Sequence, residues 1–339
     1  MQRIVILGGG YAGSLAAVRL AKRGIAVTLV DANDGLVERV RLHQIMAGDD
    51  VVPVPYSKLF RGLPIEFIRA RVSRIDRGRR LIETTAGNLQ YDRLLYALGS
   101  SSAGLTGPAA ARNLRERLRT AKSVAVVGAG LTGIESAAEI AERFPETRVT
   151  LFDSGTIGAD LSEGAARHLR SWMSAHHVAF RENERVQNVD ADLVLWCNSF
   201  SVSPIGRESG LPVNGRGQIL VDDNLRSSDP SIFAVGDAAA FRDLRMGCVS
   251  AMPMAAYAAD YLAGATDGPF RFGFVINCIS LGRHDGIIQF VEADDTPRQR
   301  FLSGRPAAWV KELICRFVVS SIRLERIGVH YSWPKTASA

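Results

Sequence analysis

The residues with the clearest chemical purpose form a glycine-rich turn near the start of the chain. Gly8, Gly10 and Gly13 follow an apolar stretch of strand length and lead into a helical pattern. At this G-x-G-x-x-G spacing the first glycine permits a tight turn, the second lets a phosphate approach the backbone, and the third lets helix and strand pack closely. Free N–H groups and the helix dipole would then face the phosphates. The turn therefore predicts a dinucleotide-binding site.

An acidic residue completes this first unit. Asp31 ends the next predicted strand, 23 residues past Gly8. At that place a carboxylate can accept hydrogen bonds from a ribose hydroxyl. Because strand, turn, helix and acid follow one another in the right order, the unit is a more specific signal than a glycine motif alone.

The same pattern occurs a second time. Gly128, Gly130 and Gly133 repeat the spacing after an apolar strand, and Asp153 ends the following strand. The chain therefore contains an internal repeat of a nucleotide-binding unit. A carboxylate at Asp153 would repel a 2′-phosphate, and no arginine follows it closely, so NADH is predicted in preference to NADPH.

A later strand also ends in residues with a chemical purpose. The apolar run 231–235 is followed by Gly236 and Asp237. The glycine permits close approach of a ligand, and the aspartate can bind a sugar-alcohol chain such as the ribityl group of a flavin. A helix over 254–262 is predicted to follow.

Composition limits the class of protein. The chain has 339 residues, 47% hydrophobic and 22% charged, which is long enough for two modest domains and ordinary for a folded soluble protein. The formal net charge of +6 comes from dispersed arginines. No basic block is interleaved with aromatic residues, so nucleic acid is not an expected partner.

The sequence predicts neither a targeting or membrane-spanning segment nor a pair of cysteines that would bind a metal or form a redox-active disulfide. The first strand follows Met1 almost at once, which predicts no signal peptide, and no run of 18 apolar residues predicts a membrane span. The cysteines are far apart and form no C-x-x-C pair, so neither a thiolate metal site nor a redox-active disulfide is expected. They are Cys197, Cys248, Cys278 and Cys315. These features favour a cytoplasmic protein.

Taken together, the two glycine units, the strand end 97–99 and the Gly-Asp pair at 236–237 resemble the two-dinucleotide-binding-domain flavoproteins, which are FAD/NAD(P)-dependent oxidoreductases. The two turns most resemble those of type II NADH dehydrogenases. The resemblance implies an α/β fold with two Rossmann-type domains in the glutathione-reductase-like arrangement, the second inserted in the first. The expected bounds are 1–102 and 221–305 for the FAD-binding domain, 103–220 for the NAD(H)-binding domain and 306–339 for a C-terminal amphipathic helical segment.

The resemblance also implies which residues hold the cofactors. The expected FAD-binding residues are Gly8, Gly10, Tyr11, Ala12, Gly13, Asp31, Val72, Ala97, Gly99, Gly236 and Asp237. The expected NADH-binding residues are Gly128, Gly130, Leu131, Thr132, Gly133 and Asp153. The resemblance implies that Glu135 lies beside the nicotinamide. The alternative is an ordinary acidic residue at the start of a helix, which the helix dipole favours and which would occupy nearly the same position.

Two departures from the type II pattern concern the electron acceptor. Those enzymes carry an Ala-Gln motif, associated with the quinone, on the helix after Gly-Asp. Here residues 251–256 read Ala-Met-Pro-Met-Ala-Ala, without glutamine. Their membrane-attaching C-terminal domain is shortened here to the residues after Arg305.

Two residues between the first acid and the next strand are further catalytic candidates. His43 lies in a stretch that passes close to the flavin in this superfamily. It could donate a proton to the reduced flavin or to an acceptor, with Arg41 as its electrostatic partner. The alternative is a hydrogen-bonded structural histidine.

Apolar residues at helical spacing predict an amphipathic helix over 306–326. Lys311 and several arginines fall outside its apolar stripe. Such a helix could dock on the body of the protein, contact a second copy in a homodimer, or lie on an anionic membrane at its inner face.

The predicted reaction takes hydride from NAD(P)H, with NADH preferred, and passes electrons through FAD to a quinone-like or small aromatic acceptor. Two alternatives stay open at the level of the sequence. One is a soluble biosynthetic flavoenzyme that oxidises or reduces a small metabolite. The other is an NADH-binding interaction protein that keeps its flavin as a structural element.

Overall fold

Strands and helices alternate along residues 2–198 and 200–335, the part of the chain that the computed structural model describes. The strands, numbered along the chain, are β1 (Ile4–Leu7), β2 (Val27–Asp31), β3 (Gly35–Leu36), β4 (Val54–Pro55), β5 (Ile65–Arg69), β6 (Val72–Asp76), β7 (Leu81–Thr84), β8 (Gly87–Gln90), β9 (Arg93–Tyr96), β10 (Ser100–Ser102), β11 (Ser123–Val127), β12 (Arg148–Phe152), β13 (Ala179–Arg181), β14 (Leu193–Trp196), β15 (Phe200–Val202), β16 (Ile219–Leu220), β17 (Ile232–Ala234), β18 (Ala239–Ala240), β19 (Ile276–Leu281), β20 (Asp285–Val291) and β21 (Pro297–Ser303). The α-helices are α1 (Tyr11–Lys22), α2 (Leu42–Ala47), α3 (Tyr56–Leu59), α4 (Pro108–Leu118), α5 (Leu131–Arg143), α6 (Glu163–Ala175), α7 (Ile205–Glu208), α8 (Cys248–Leu262) and α9 (Gly304–Arg326).

The first unit is built on a parallel sheet with strand order β17-β9-β1-β2-β5. The central strand β1 pairs with β2 on one side and with β9 on the other. All of its residues are buried, as expected for a parallel strand that is covered on both faces. The sheet therefore places the first glycine turn at the carboxyl end of its central strand.

The second unit repeats this arrangement with strand order β13-β12-β11-β14. Its central strand β11 lies between β12 and β14 in parallel register. The second glycine turn consequently also lies at the carboxyl end of a central strand, where parallel sheets place their ligands. Both sheets are of the Rossmann-like kind that the repeat predicts.

A three-stranded antiparallel sheet, β19-β20-β21, contacts both units. It packs against α5, α6 and α9. The backbone N–H of Ser162, which precedes α6, donates to Oε1 of Gln289 at 2.9 Å, and His168 Nε2 lies 2.9 Å from Asp285 Oδ1. Part of the expected FAD segment, 221–305, thus packs on helices of the segment 103–220.

Helix α8 begins at Cys248, six residues before the predicted helix over 254–262, and it contains Pro253. A proline within a helix removes a backbone hydrogen bond and usually ends the helical pattern. Here four alanines, at 255, 256, 258 and 259, are fully buried. Their small side chains allow α8 to pack closely on α1, and this tertiary contact outweighs the local cost of the proline.

Helix α9 docks on the body of the protein, the first of the arrangements expected for the amphipathic segment. It packs against α1 and β20 and buries one face of its surface. On its outer face Trp309 and Phe317 stay 65% and 53% exposed. Within residues 2–198 and 200–335, no helix has both the length and the apolar character to cross a bilayer.

A buried ion pair fixes the end of α9. Arg19 of α1 binds Glu325 through two hydrogen bonds of 2.9 Å, and the two side chains are 3% and 0% exposed. The same guanidinium reaches Asp260 of α8 at 3.2 Å and the carbonyl of Tyr331 at 2.6 Å. Burial opposes the ionisation of Glu325, but hydrogen bonds from Arg19 and from the backbone N–H of Tyr331 hold its pKa below the ordinary value.

We expect Glu325→Ala to lower the free energy of unfolding by about 3–5 kcal/mol, because Arg19 is left as a buried charge without its main partner. Urea denaturation measures this change. The double variant Arg19→Met/Glu325→Leu should lose much less, since no charge is stranded. Arg298→Ala, which removes an exposed pair with Glu292, should stay within about 0.5 kcal/mol of the wild type. A loss below about 1 kcal/mol for Glu325→Ala would contradict the role given to this pair.

Candidate functional site

The first glycine turn has the geometry of an anion cradle. Gly8 has a φ of +95°, and a Cβ there would overlap the carbonyl oxygen of Ala97. Gly10 caps α1, and no described side chain caps this helix end by a hydrogen bond. A Cβ at Gly10 would meet no described heavy atom within 4 Å. The uncapped N–H groups of α1 therefore face open space of the kind that a pyrophosphate needs.

Asp31 holds this turn in place. Its Oδ2 accepts a hydrogen bond from the N–H of Gly9 at 2.6 Å, and its Oδ1 accepts one from the N–H of Asn33 at 2.7 Å. The hydroxyl of Tyr56 donates to the carbonyl of Gly9 at 2.8 Å. Because each carboxylate oxygen has a second lone pair, Asp31 can shape the loop and still bind a ribose hydroxyl.

The second turn repeats these contacts. Gly128 has a φ of +103°, and Gly130 caps α5 in the same way. Asp153 accepts from the N–H of Ala129 at 2.6 Å and from the N–H of Gly155 at 2.8 Å. Asp31 and Asp153 thus hold their loops by equivalent hydrogen bonds, each accepted from the N–H of the residue after the first glycine. The repeat in the sequence is therefore also a repeat of these contacts.

One cavity of about 720 Å³ joins the two units. The predicted site residues that line it are Gly8, Gly10, Tyr11, Ala12, Asp31, His43, Ala97, Gly99, Leu131, Thr132, Glu135, Gly236 and Asp237. The predicted residues outside its lining are Gly13, Arg41, Val72, Gly128, Gly130, Gly133 and Asp153. Gly13 and Gly133 lie under the turns, where a Cβ would overlap the carbonyl oxygens of Gly8 and Gly128.

Asp237 ties three segments together at the wall of this cavity. Its Oδ2 accepts a hydrogen bond from the hydroxyl of Ser100 at 2.7 Å. Its Oδ1 accepts one from the N–H of Gly247, which precedes α8, at 2.8 Å. The carboxylate is therefore fixed in orientation at the junction of β10, the Gly-Asp turn and α8.

Glu135, Lys311 and His43 form the charged end of the cavity. Lys311 Nζ lies 2.8 Å from Glu135 Oε1, and the N–H of Ser280 donates to the same oxygen at 3.0 Å. His43 Nδ1 lies 3.7 Å from Glu135 Oε2. Glu135 is the fifth residue of α5 and lies beyond the first turn, so its position is explained by these contacts and not by the helix dipole.

Burial and neighbouring charges decide the protonation states of Glu135, Lys311 and His43. Burial opposes the charged form of Glu135, but Lys311 and His43 hold its pKa below the ordinary value. Burial also opposes the charged form of Lys311, yet the nearby Cys278 and Glu135 raise its pKa well above the usual range. Burial lowers the pKa of His43 to about 4. Near neutral pH the site therefore holds a carboxylate, an ammonium group and a neutral imidazole.

The neutral imidazole changes the role expected for His43. Nδ1 lies 3.7 Å from Glu135, and Nε2 is buried without a hydrogen-bond partner among the described residues. A neutral imidazole carries a proton on only one of these two nitrogens. The resting side chain is consequently not the charged proton donor of the sequence interpretation, and it is not fully satisfied as a structural histidine either.

The hydrogen bonds of Arg41 go to carboxylate and amide oxygens near α9 and the start of α2. Its guanidinium makes two hydrogen bonds of 2.9 Å to Glu312 of α9 and one of 2.8 Å to Oε1 of Gln44. It also reaches Glu38 at 3.2 Å. The residue attaches the start of α2 to α9 and lies outside the cavity lining. Its charge is one of those that lower the pKa of His43, so its expected electrostatic partnership with the histidine stays a prediction.

Lys311 is the main functional candidate that the sequence missed. The helical pattern predicts a solvent-facing lysine, whereas the side chain is only 12% exposed and lines the cavity. Its ammonium group also lies 3.7 Å from the sulfur of Cys278. No local signal separates Lys311 from the exposed arginines of the same helix, because the docking of α9 decides which face is buried.

The cysteines near the cavity are not joined in a disulfide. All four cysteines are described, and all are free. Cys248, the first residue of α8, lines the cavity together with Cys278. Burial raises the pKa of Cys248 to about 12, so its thiol stays protonated. A redox-active disulfide is therefore not formed in the described structure.

The sequence is similar to those of known oxidoreductases. Ferroptosis suppressor protein 1 from Xenopus tropicalis is 27% identical over 335 residues, which cover 85% of this chain and 88% of that protein. A type II NADH:quinone oxidoreductase from Staphylococcus haemolyticus is 26% identical, with coverage of 92% and 94%. Both relatives are matched over most of their length.

Solved structures show the same fold. The sulfide:quinone oxidoreductase of Aquifex aeolicus is similar with a TM-score of 0.82 at 17% identity, over 96% of this chain and 92% of that one. NDH2 from Plasmodium falciparum in complex with NADH is similar with a TM-score of 0.81 at 14% identity, over 96% and 97%. At these identities the likeness establishes the fold alone.

A profile of the pyridine nucleotide-disulphide oxidoreductase family matches residues 2–260, well over half of the chain. The matched range contains both glycine turns and the Gly-Asp pair at 236–237, and it confirms the family resemblance that the motifs predict. The chain is a member of the pyridine nucleotide-disulphide oxidoreductase family.

Proposed function

We propose that this protein is a FAD-dependent oxidoreductase that takes hydride from NADH and passes the electrons to a quinone-like acceptor. The observation that carries the proposal is the single cavity that reaches from the first glycine turn to Glu135 and Lys311. It brings a dinucleotide cradle, the start of α5 and a buried ion pair to one place. A two-substrate electron transfer needs this combination.

The residues of the first unit fit FAD. The uncapped α1 and the open space at Gly10 suit the pyrophosphate, and Asp31 suits the adenosine ribose. Asp237 and Gly99 line the far part of the cavity, where the ribityl chain and flavin would lie. Val72 begins β6, outside the cavity lining, and its expected backbone contact with adenine stays a prediction.

The residues of the second unit fit NADH. Gly128 and Gly130 form the second cradle at the uncapped start of α5. Asp153 presents a carboxylate at the end of β12, which favours a free ribose 2′-hydroxyl over a 2′-phosphate. This arrangement supports NADH as the preferred donor and an inserted NAD(H)-binding domain at 103–220.

The charged end of the cavity suits an acceptor that gains negative charge. FAD, when bound, supplies the hydride and electron chemistry. Lys311 presents a buried ammonium group that would stabilise charge on a reduced carbonyl oxygen. Glu135 lies 2.8 Å from the ammonium group of Lys311 and 3.7 Å from Nδ1 of His43, so it would hold both side chains in position at this end of the cavity.

A quinone-type acceptor is also supported by the names of the relatives. One of them is a type II NADH:quinone oxidoreductase, at 26% identity. In this chain Ala251, Met252 and Pro253 line the cavity. Type II NADH dehydrogenases carry glutamine in the corresponding segment. The polar contacts to the acceptor would therefore come from the charged end of the cavity and not from α8.

The outer face of α9 supports a membrane surface as the source of such an acceptor. Trp309, Leu313 and Phe317 are exposed along it, and Arg316 and Arg323 lie beside them. Apolar side chains flanked by arginines suit an interface with anionic lipid. A contact with a second copy of the chain through the same face is the competing arrangement.

The main experiment is anaerobic reduction of the FAD-loaded protein by NADH in a stopped-flow spectrometer. We expect the flavin absorbance to bleach promptly and to return on mixing with menadione or ubiquinone-1. A small aromatic metabolite that reoxidises the flavin faster than either quinone would favour the biosynthetic alternative. A flavin that NADH does not bleach would contradict the proposal and favour an interaction protein.

We expect Lys311→Met to lower the rate of NADH:menadione turnover by about 100-fold, because the buried carboxylate of Glu135 loses its cation and the acceptor loses a donor. Steady-state kinetics and the FAD content of the purified variant measure the effect. The described contacts of Lys311 go to Glu135 and Cys278 and not to the first glycine turn, so the FAD content should be retained. Arg323→Met, on the exposed side of the same helix, serves as the control, and equal rates for both variants would contradict the role of Lys311.

We expect the double variant Trp309→Ser/Phe317→Ser to bind vesicles of anionic phospholipid at least about tenfold more weakly than the wild type, since two aromatic side chains are withdrawn from the interface. Vesicle sedimentation measures the binding. Leu220→Ser, an exposed apolar residue on β16, is the matched control. If the wild type does not bind vesicles and instead forms dimers that the double variant breaks, α9 contacts a second copy.

A further inference from the structure

A second cavity lies between α3 and the end of α9. Its volume of about 450 Å³ falls within the range of about 300–1,000 Å³ that is usual for small-molecule sites. It shares no lining residue with the cavity that joins the two glycine turns. The residues that line it, which together form the α3–α9 groove, are Val54, Lys58, Leu59, Ser320, Arg323, Leu324, Arg326 and Ile327.

The groove has an apolar part that reaches from the core to the surface. Val54 and Leu59 are buried, whereas Leu324 and Ile327 are 37% and 72% exposed. An apolar ligand in the groove would remove these exposed side chains from water, which is favourable in proportion to the apolar area that is covered. The groove therefore suits a hydrocarbon chain.

Three cationic side chains line the same groove. Lys58 comes from α3, and Arg323 and Arg326 come from the last turn of α9. Nη1 of Arg326 lies 3.3 Å from the carbonyl oxygen of Lys58, so its guanidinium group connects α9 to α3. The positive charges therefore lie beside the apolar side chains and not in a separate patch.

The acidic residues of the two helices do not balance these charges. Helix α3 contains no acidic residue. In α9, Glu312 binds Arg41 and Arg316, and Glu325 binds Arg19. None of the described residues that line the groove is acidic. An anion in the groove would thus meet three cations without a competing carboxylate, and arginine donors match the geometry of phosphate oxygens.

The groove also continues the exposed apolar face of α9. Trp309, Leu313 and Phe317 are exposed along that face. Leu324 follows Phe317 by seven residues, which is about two turns of helix, so it lies on the same side. The groove therefore lies at the end of the face for which contact with lipid is proposed above.

We propose that the α3–α9 groove binds one molecule of an anionic phospholipid. An acyl chain would pack on Leu59 and Leu324, and the phosphate would bind among the three cations. Such a ligand would contact both helices and so hold the end of α9 against α3. Because the groove is separate from the cavity proposed for electron transfer, its ligand does not depend on the identity of the electron acceptor.

Isothermal titration calorimetry with short-chain lipids, which stay monomeric, tests the groove apart from a bilayer. The FAD-loaded protein should bind dihexanoyl phosphatidylglycerol with one-to-one stoichiometry. Dihexanoyl phosphatidylcholine has the same chains without a net charge and should bind at least about tenfold more weakly. Glycerol 3-phosphate has the anion without the chains and should also bind at least about tenfold more weakly. If either compound binds as tightly as the phosphatidylglycerol, the proposed ligand is wrong.

A pair of charge variants locates the site. Lys58→Gln/Arg326→Gln should bind the phosphatidylglycerol at least about tenfold more weakly, because two cations are removed from the groove. Arg61→Gln/Arg305→Gln removes the same charge at exposed positions outside the groove and should bind within about twofold of the wild type. An equal loss in both double variants would indicate general attraction of anions and overturn the site, as would unchanged binding in the first.

Thermal unfolding gives a second readout that also checks folding. Without lipid, both double variants should unfold cooperatively. The phosphatidylglycerol should raise the Tm of the wild type, because a ligand that binds only the folded chain stabilises it. The phosphatidylcholine at the same concentration should not, and the increase should be lost in Lys58→Gln/Arg326→Gln. An increase that persists in this variant would place the lipid elsewhere.

The outcomes separate the groove from the exposed face of α9 and from the proposed function. Trp309→Ser/Phe317→Ser changes that face outside the groove, so it should keep the short-chain lipid site even where it binds vesicles weakly. Loss of both would leave no separate site. A wild type that forms dimers and binds no short-chain lipid would assign the groove to a second copy. A flavin that NADH does not reduce would overturn the proposed function and leave the lipid titration unaffected.

Discussion

The buried ion pair between Glu135 and Lys311 is the contact on which the rest of the site depends. A carboxylate inside a protein is stable only when a cation and hydrogen-bond donors replace the water that it has lost. Glu135 lies on the helix that starts at the second glycine turn, whereas Lys311 comes from the C-terminal helix α9. The charges at this end of the cavity are therefore brought together only when α9 folds back on the second unit.

Two other ion pairs explain why α9 takes this position. Arg41 binds Glu312 next to the lysine, and Arg19 binds Glu325 near the end of the helix. Each pair joins α9 to a different segment of the body. A shift of α9 by one turn, about 5.4 Å, would separate all three pairs at once. Because two of the pairs are deeply buried, such a shift would strand charges, so one register of the helix is strongly favoured.

The sequence was sufficient for the parts of the site that depend on local backbone geometry. Gly8 and Gly128 have positive φ values, and side chains at Gly13 and Gly133 would overlap the turns, so the two cradles could be predicted from the spacing of the glycines. The acids that end β2 and β12 were found for the same reason. The role of Lys311 and the hydrogen bonds from Arg41 to Glu312 could not be found, because an amphipathic pattern does not tell which polar residues of a helix contact the protein and which contact water.

The protonation of His43 shows how the fold alters a residue that the sequence had identified. A histidine beside a carboxylate is usually expected to be charged, since the anion raises its pKa. Here burial outweighs Glu135, and Lys311 and Arg283 also oppose a second positive charge. The negative charge of Glu135 is already balanced by the lysine, so an imidazolium would have no anion of its own. The imidazole therefore stays neutral beside a carboxylate, because the lysine that α9 brings to the site already supplies the cation that the carboxylate needs.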